Sequence, residues 1–161
     1  MASTAFTAHL PALGEHVREE TGNELQATLL ELIDLALVGK QLHWSIVGPR
    51  FNPLHQRLDE LVDSWHDLAD TVAERAVAIG HAPDGQADAI VSAGDRSPIE
   101  RGAVEDHDVL EVLVDRINMV AEHVRERMDR LGALDIASQD VLVGVVRTLE
   151  EQLWMTRAQL P

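Results

Sequence analysis

With 161 residues, 45% of them hydrophobic, and no cysteine, the chain can build one domain with a sizeable core and excludes disulfides, thiol catalysis and Cys-based zinc sites. Its formal net charge of −15, with Lys40 as the single lysine, repels phosphates and anionic membranes and attracts cations. No apolar run approaches a membrane span, and the first residues show neither a basic nor an apolar leader region, so a soluble cytoplasmic protein is expected.

Residues 1–14 read as a flexible tail ending at Gly14, ahead of a single domain over 15–161. A first helix carries Leu25, Leu29, Leu32, Ala36 and His43 at spacings of three and four, and Gly48-Pro49 ends it. The second opens with Asn52 as N-cap and Pro53 in its first turn. It buries Leu54, Leu58, Leu61, Trp65, Leu68, Val72, Ala76 and Ile79 and stops at Gly80. A connection rich in Gly, Pro and Asp follows as far as Gly94, with room for a short helix over 86–91. Ser97-Pro98-Ile99-Glu100 spells a capping box with proline at the first helical position. That predicts a third helix from there through Leu110, Leu113, Ile117, Val120, Val124, Met128 and Leu131 to Gly132. Asp135 caps the fourth, which runs on through Leu142, Val146, Leu149 and Leu153. With two Phe, three Trp and no Tyr, the expected class is all-α: four long amphipathic helices with one long middle connection.

The second helix holds the chemistry. At 100° per residue, His55, Asp59, Asp70 and Glu74 fall within an arc of about 100°. They make two i, i+4 pairs on one face, each able to grip an ion from one side. Asp59 and Asp70 nevertheless lie roughly 16 Å apart along the axis, too far for one coordination sphere. Two copies of the helix packed antiparallel about a two-fold axis near Ser64 and Trp65 resolve this. His55 and Asp59 of one chain then face Asp70 and Glu74 of its mate, and two equivalent sites form roughly 22 Å apart. His43, five turns after Leu25, prolongs the inward stripe of the first helix. Taken singly, His43 is equally a hydrogen-bonded core residue, and each i, i+4 pair a surface pair or solvated acidic face. Taken together and in register, they are expected to be metal ligands. Imidazole nitrogen and carboxylate oxygen suit Fe(II), and carboxylates stabilise Fe(III).

The stretch Lys40-Gln41-Leu42-His43-Trp44, then Gly48, Phe51, Leu54-His55, Leu58-Asp59, Asp70 to Ala76 and Ile79-Gly80, resembles the Dps-type mini-ferritins, DNA-binding proteins from starved cells of the ferritin-like superfamily. The closing segment Leu149 to Trp154 extends the likeness over most of residues 20 to 160. The resemblance implies a ferritin-like four-helix bundle assembled from two-fold dimers into a hollow dodecamer. It implies ferroxidase ligands at His43, His55 and Asp59 of one subunit and Asp70 and Glu74 of the next. Fe(II) oxidation, with hydrogen peroxide as oxidant, storage of Fe(III) mineral and protection against oxidative stress follow from it as expectations. Asp135 and Asp140 match the region that lines acidic three-fold pores in the family, so an iron-entry role stands beside the capping role of Asp135. Trp44 adjoins a ligand, either as a quencher of stray oxidising equivalents or as a packing residue. Asp63 and His66 share the ligand face near the proposed axis; since no Glu-x-x-His occurs in the chain, a hydrogen-bond cluster is their expected role. His9, His16, His81, His107 and His123 have no partner spacing and read as surface or packing residues.

Two rival functions stand beside iron oxidation. One is nucleoid compaction by DNA binding, the property that named the family and that goes with flexible basic tails. Residues 1–20 set Glu15, Glu19 and Glu20 against Arg18, so direct DNA binding is not expected here. The other is a shell that binds metal without oxidising it. No phosphate loop, Gly-x-Ser-x-Gly elbow or Rossmann turn competes for the site.

Overall fold

The computed structural model describes residues 11, 13–93, 98–99 and 101–161. In chain order the elements are α1 (Glu15–Ser45), β1 (Ile46–Val47), α2 (Phe51–Ala78), α3 (Ala87–Ser92), β2 (Val104–Glu105), α4 (Asp106–Leu131) and α5 (Ile136–Arg157). α1 packs mainly along α2 and α4 along α5, and the two hairpins join chiefly where α1 meets α4. The result is the expected four-helix bundle, with α3 as the short helix of the middle connection. The tail expectation for residues 1–10 and 12 lies outside the described residues.

The leucine and valine stripes read from the sequence meet in one core. Leu25, Leu32, Leu42, Leu58, Trp65, Ile79, Leu110, Leu113, Ile117 and Leu149 are among its fully or almost fully buried members. Trp65 reaches the bundle centre because Gly39 stands opposite: a Cβ on Gly39 would come 2.6 Å from the indole ring. The buried indole N–H donates to Gln152 Oε1 at 2.8 Å, and Gln152 donates to Ser64 Oγ at 3.0 Å, so the polar atoms in this part of the core are satisfied.

Two boundaries differ from the sequence expectation. α2 begins at Phe51 with Arg50 as N-cap, so Asn52 and Pro53 lie inside its first turn. There the missing N–H of proline costs nothing, and a carboxylate from α4 takes the Arg50 N–H instead. Ser97 and Glu100 of the expected capping box lie outside the described residues, but Pro98 and Ile99 are not helical and α4 starts only at Asp106. Gly102, at φ +113°, and the pairing of Val104–Glu105 in parallel with Ile46–Val47 hold the chain extended up to that point. That two-residue pairing is the only sheet among the described residues, and no local sequence pattern announces it. At the other end of α2, Gly80 turns at φ +85° while His81 N–H reaches back to Ala76 O at 2.9 Å. Mutual bonds between Gln26 and Asp84, 2.7 and 2.9 Å, then tie the middle connection to α1. Among the described residues no helix is long and apolar enough to cross a membrane.

Candidate metal centre

His43 sits in the last turn of α1 and His55 in the second turn of α2, so the α1–α2 hairpin brings them face to face. The two imidazoles stack with ring centroids 3.6 Å apart and planes inclined by 25°. Each ring is fixed by the other residue's backbone: His43 Nδ1 lies 3.0 Å from the His55 carbonyl oxygen, and His55 Nδ1 lies 3.0 Å from that of His43. A carbonyl oxygen only accepts, so in the neutral rings Nδ1 carries the proton and Nε2 keeps its lone pair. No hydrogen bond among the described residues uses either Nε2. Both rings are thus held in the tautomer that a metal ion requires. Phe51, in the first turn of α2, also stacks on His55, with ring centroids 4.9 Å apart.

Asp59, one turn after His55, completes the cluster within the chain. Its Oδ1 lies 3.3 Å from His43 Nδ1 and 2.5 Å from Lys40 Nζ. The Lys40 hydrogen bond, foremost, holds the Asp59 carboxyl below the usual carboxylate range; burial opposes it, and His43 adds to it. His43 is buried, while His55 and Asp59 are half-buried, so the cluster opens to the surface at the mouth of the hairpin.

Asp70 and Glu74 lie three to four turns further along α2, exposed and apart from this cluster. Among the described residues neither has an ion pair or hydrogen-bond partner. Arg75, adjacent in sequence, does not neutralise Glu74, because its guanidinium turns to α5 and donates to Asp135 Oδ2 at 2.6 Å and Ser138 Oγ at 2.9 Å. Among the described residues no three His, Asp or Glu side chains of one chain converge tightly enough to hold a metal ion. One chain by itself therefore does not bring the five residues together.

Asp63 and His66 are exposed on the same helix between the two pairs, without a partner among the described residues. Trp44 is 70% exposed beside His43, so it is not a packing residue of the chain's own core. Asp135 caps α5 through Ala137 N and Ser138 N, and it also accepts from the Ser138 hydroxyl and Arg75. Four donors thus surround this carboxylate, whereas Asp140 is exposed. His81 is half-buried, and burial pushes its pKa down. His107 lies 3.5 Å from Glu111, His123 lies 2.8 Å from Glu31, and His16 is exposed; His9 lies outside the described residues. Sequence reasoning missed Lys40 as a partner of Asp59, although its place three residues before His43 puts both on one face of α1.

The model of the ferritin-like domain matches residues 22–161. The chain is 35% identical over 159 residues to the DNA protection during starvation protein of Mycolicibacterium smegmatis, covering 98% of this chain and 85% of that one. It is 38% identical over 138 residues to the fine tangled pili major subunit of Haemophilus ducreyi, covering 84% and 72%. Among solved structures, the tetragonal form of Mycobacterium smegmatis Dps superposes with a TM-score of 0.88 at 32% identity, over 92% of this chain and 91% of that one.

Proposed function

Because the chain belongs to the ferritin-like family, and within it to the Dps-type mini-ferritins, it serves in iron storage and stress protection, and we propose that it oxidises Fe(II) at sites shared between two subunits. The ferric product is then kept as mineral inside a shell of twelve copies. His43, His55 and Asp59 of one subunit and Asp70 and Glu74 of its mate are the proposed ligands. The observation that carries this reading is the reciprocal Nδ1–carbonyl pairing, which leaves both Nε2 atoms without a hydrogen-bond partner among the described residues, in a cluster that also holds the ionised Asp59 carboxylate. Asp70 and Glu74, exposed and uncompensated on the same helix, supply the hard oxygen donors that stabilise Fe(III) as it forms.

Hydrogen peroxide is the proposed oxidant. Its O–O bond breaks as it accepts one electron from each of two Fe(II) ions and takes up two protons, leaving as two waters. Paired delivery of electrons releases no hydroxyl radical. Trp44, exposed next to His43, is placed to quench an oxidising equivalent that escapes the pair.

The test is anaerobic loading of the assembled protein with Fe(II), followed by peroxide, with ferric absorbance followed in the shell fraction. Rapid ferric absorbance that co-elutes with protein is expected. The triple variant His43→Ala, His55→Ala, Glu74→Ala should assemble but lose the rapid phase. Iron that binds and stays ferrous after peroxide would favour a metal-binding shell without ferroxidase activity. A triple variant that oxidised iron at the parental rate would refute the site.

A further inference from the structure

The turn that joins the two histidine helices is held from outside by a carboxylate that belongs to neither of them. Asp106, the first residue of α4, is only 5% exposed. It accepts from Arg50 N at 2.6 Å and from Arg50 Nη2 at 3.0 Å, and the His107 backbone N–H also donates to it. Arg50 is the residue from which α2 starts, five before His55, and its Nη1 donates to Gln159 O at 3.1 Å. The exit of α1 is held at the same place. β1 follows directly on Ser45, two residues past His43, and pairs with β2, whose last residue precedes Asp106. Three consecutive residues, Val104 to Asp106, therefore grip both ends of the hairpin that carries the imidazoles.

Gly48, at the centre of the turn, makes the grip possible. Its φ of +117° disfavours any other residue, and a Cβ there would stand 2.9 Å from Asp106 Oδ2 and 3.0 Å from its Cγ. The carboxylate lies against the turn only because that side chain is missing.

We propose that Asp106 is a positioning residue for the metal site: clamping Arg50 to the start of α4, it fixes the spacing of the His43 and His55 imidazoles and so the presentation of their Nε2 atoms to a divalent ion. This rests on the site reading above. The reciprocal 3.0 Å bonds tolerate little sliding of the first turns of α2 against the last turn of α1. Once one is lost, its ring is free to rotate and the tautomer is no longer fixed. An ion that needs two imidazoles in register loses affinity, whereas most of the apolar core lies along the bundle away from this turn. Asp106 itself is neutralised by Arg50, so it orients the site without competing for the ion.

The experiment is an anaerobic titration of the assembled protein with Co(II), followed by its visible absorbance, alongside helicity and assembled mass. Asp106→Ala, Arg50→Gln and Gly48→Ala should each bind Co(II) about ten- to a hundredfold more weakly, the usual cost of removing an outer support of a metal ligand. Asp106→Asn, which keeps an acceptor for Arg50 N, should recover part of that loss. Glu31→Gln is the control: it removes a carboxylate paired to Arg127 at 2.6 and 2.9 Å, on α1 but roughly 18 Å from His43 along the axis, and should bind as the parent does. If His43→Ala bound Co(II) as tightly as the parent, the site reading itself would fail. If His43→Ala lost affinity but Asp106→Ala and Arg50→Gln did not, only the positioning role would be overturned. Loss shared by Glu31→Gln, or tracking lost helicity across the set, would overturn it too. Should Asp106→Ala fail to assemble, Arg50→Gln, which keeps the peptide N–H bond to Asp106, decides the matter alone.

Discussion

A single ammonium sets the resting state of the histidine cluster. Lys40 Nζ lies on Asp59 Oδ1, and a divalent ion must displace it or share the carboxylate with it. Both side chains are more than a third exposed, so solvent screens the pair, and it is too weak to bar an ion held by several ligands. Lys40→Gln should therefore tighten Co(II) binding at neutral pH by no more than about fivefold. The carboxyl itself should respond in acid. Because the Lys40 hydrogen bond depresses the Asp59 pKa, its loss should make the metal-free Asp59 carboxyl protonate at a higher pH than in the parent. Anaerobic Co(II) titration at pH 7 measures the first effect and carboxyl NMR titration below pH 5 the second, and weaker Co(II) binding at pH 7 would mean that Lys40 supports the site rather than competing for it. The proposed ligands were legible because four of them share one helix face at readable spacing. Lys40–Asp59 and Arg50–Asp106 were not, since the partners are 19 and 56 residues apart and leave no local pattern.

Helix starts show the same division between local and distant causes. Asp135 was readable as the cap of α5 because its partners, Ala137 and Ser138, are two and three residues away. The starts of α2 and α4 were misplaced because the features that set them, the β1–β2 pairing and the Asp106–Arg50 clamp, join segments far apart in sequence. Asp135→Ala should cost about 1–2 kcal/mol, at the upper end for a lost cap because Arg75 also loses its partner. Burial pushes the Asp135 carboxyl up, but the Ser138 and Arg75 hydrogen bonds prevail and hold it below the usual value. A depressed folded-state pKa contributes stability that is complete above the unfolded value of about 4 and disappears as pH falls through the folded value. Thermal midpoints of parent and variant should thus differ at pH 7 and converge in acid. A gap that stayed constant into acid would exclude the ionised carboxylate as its cause.

At the scale of the assembly, charge and symmetry decide what the protein can bind. Twelve copies at −15 carry about −180, a field that concentrates cations and repels phosphates. The many arginines on the described helices are largely spent on carboxylates: Arg127 on Glu31, Arg130 on Glu24, Arg125 on Glu150, Arg75 on Asp135. Metal-free protein should not retard plasmid DNA at near-neutral pH and physiological salt; retardation that weakened as salt rose would reveal a cationic surface and return DNA binding to the account. The central claim, that each iron site draws ligands from two subunits, has its most direct test in mixed dimers. An Asp59→Ala chain paired with a Glu74→Ala chain makes one site with both defects and one with every ligand. Co-refolded mixtures should regain about half the parental ferrous oxidation per mixed dimer, while each variant alone stays inactive. Mixed dimers, verified as such by mass, that recovered no activity would contradict the shared site.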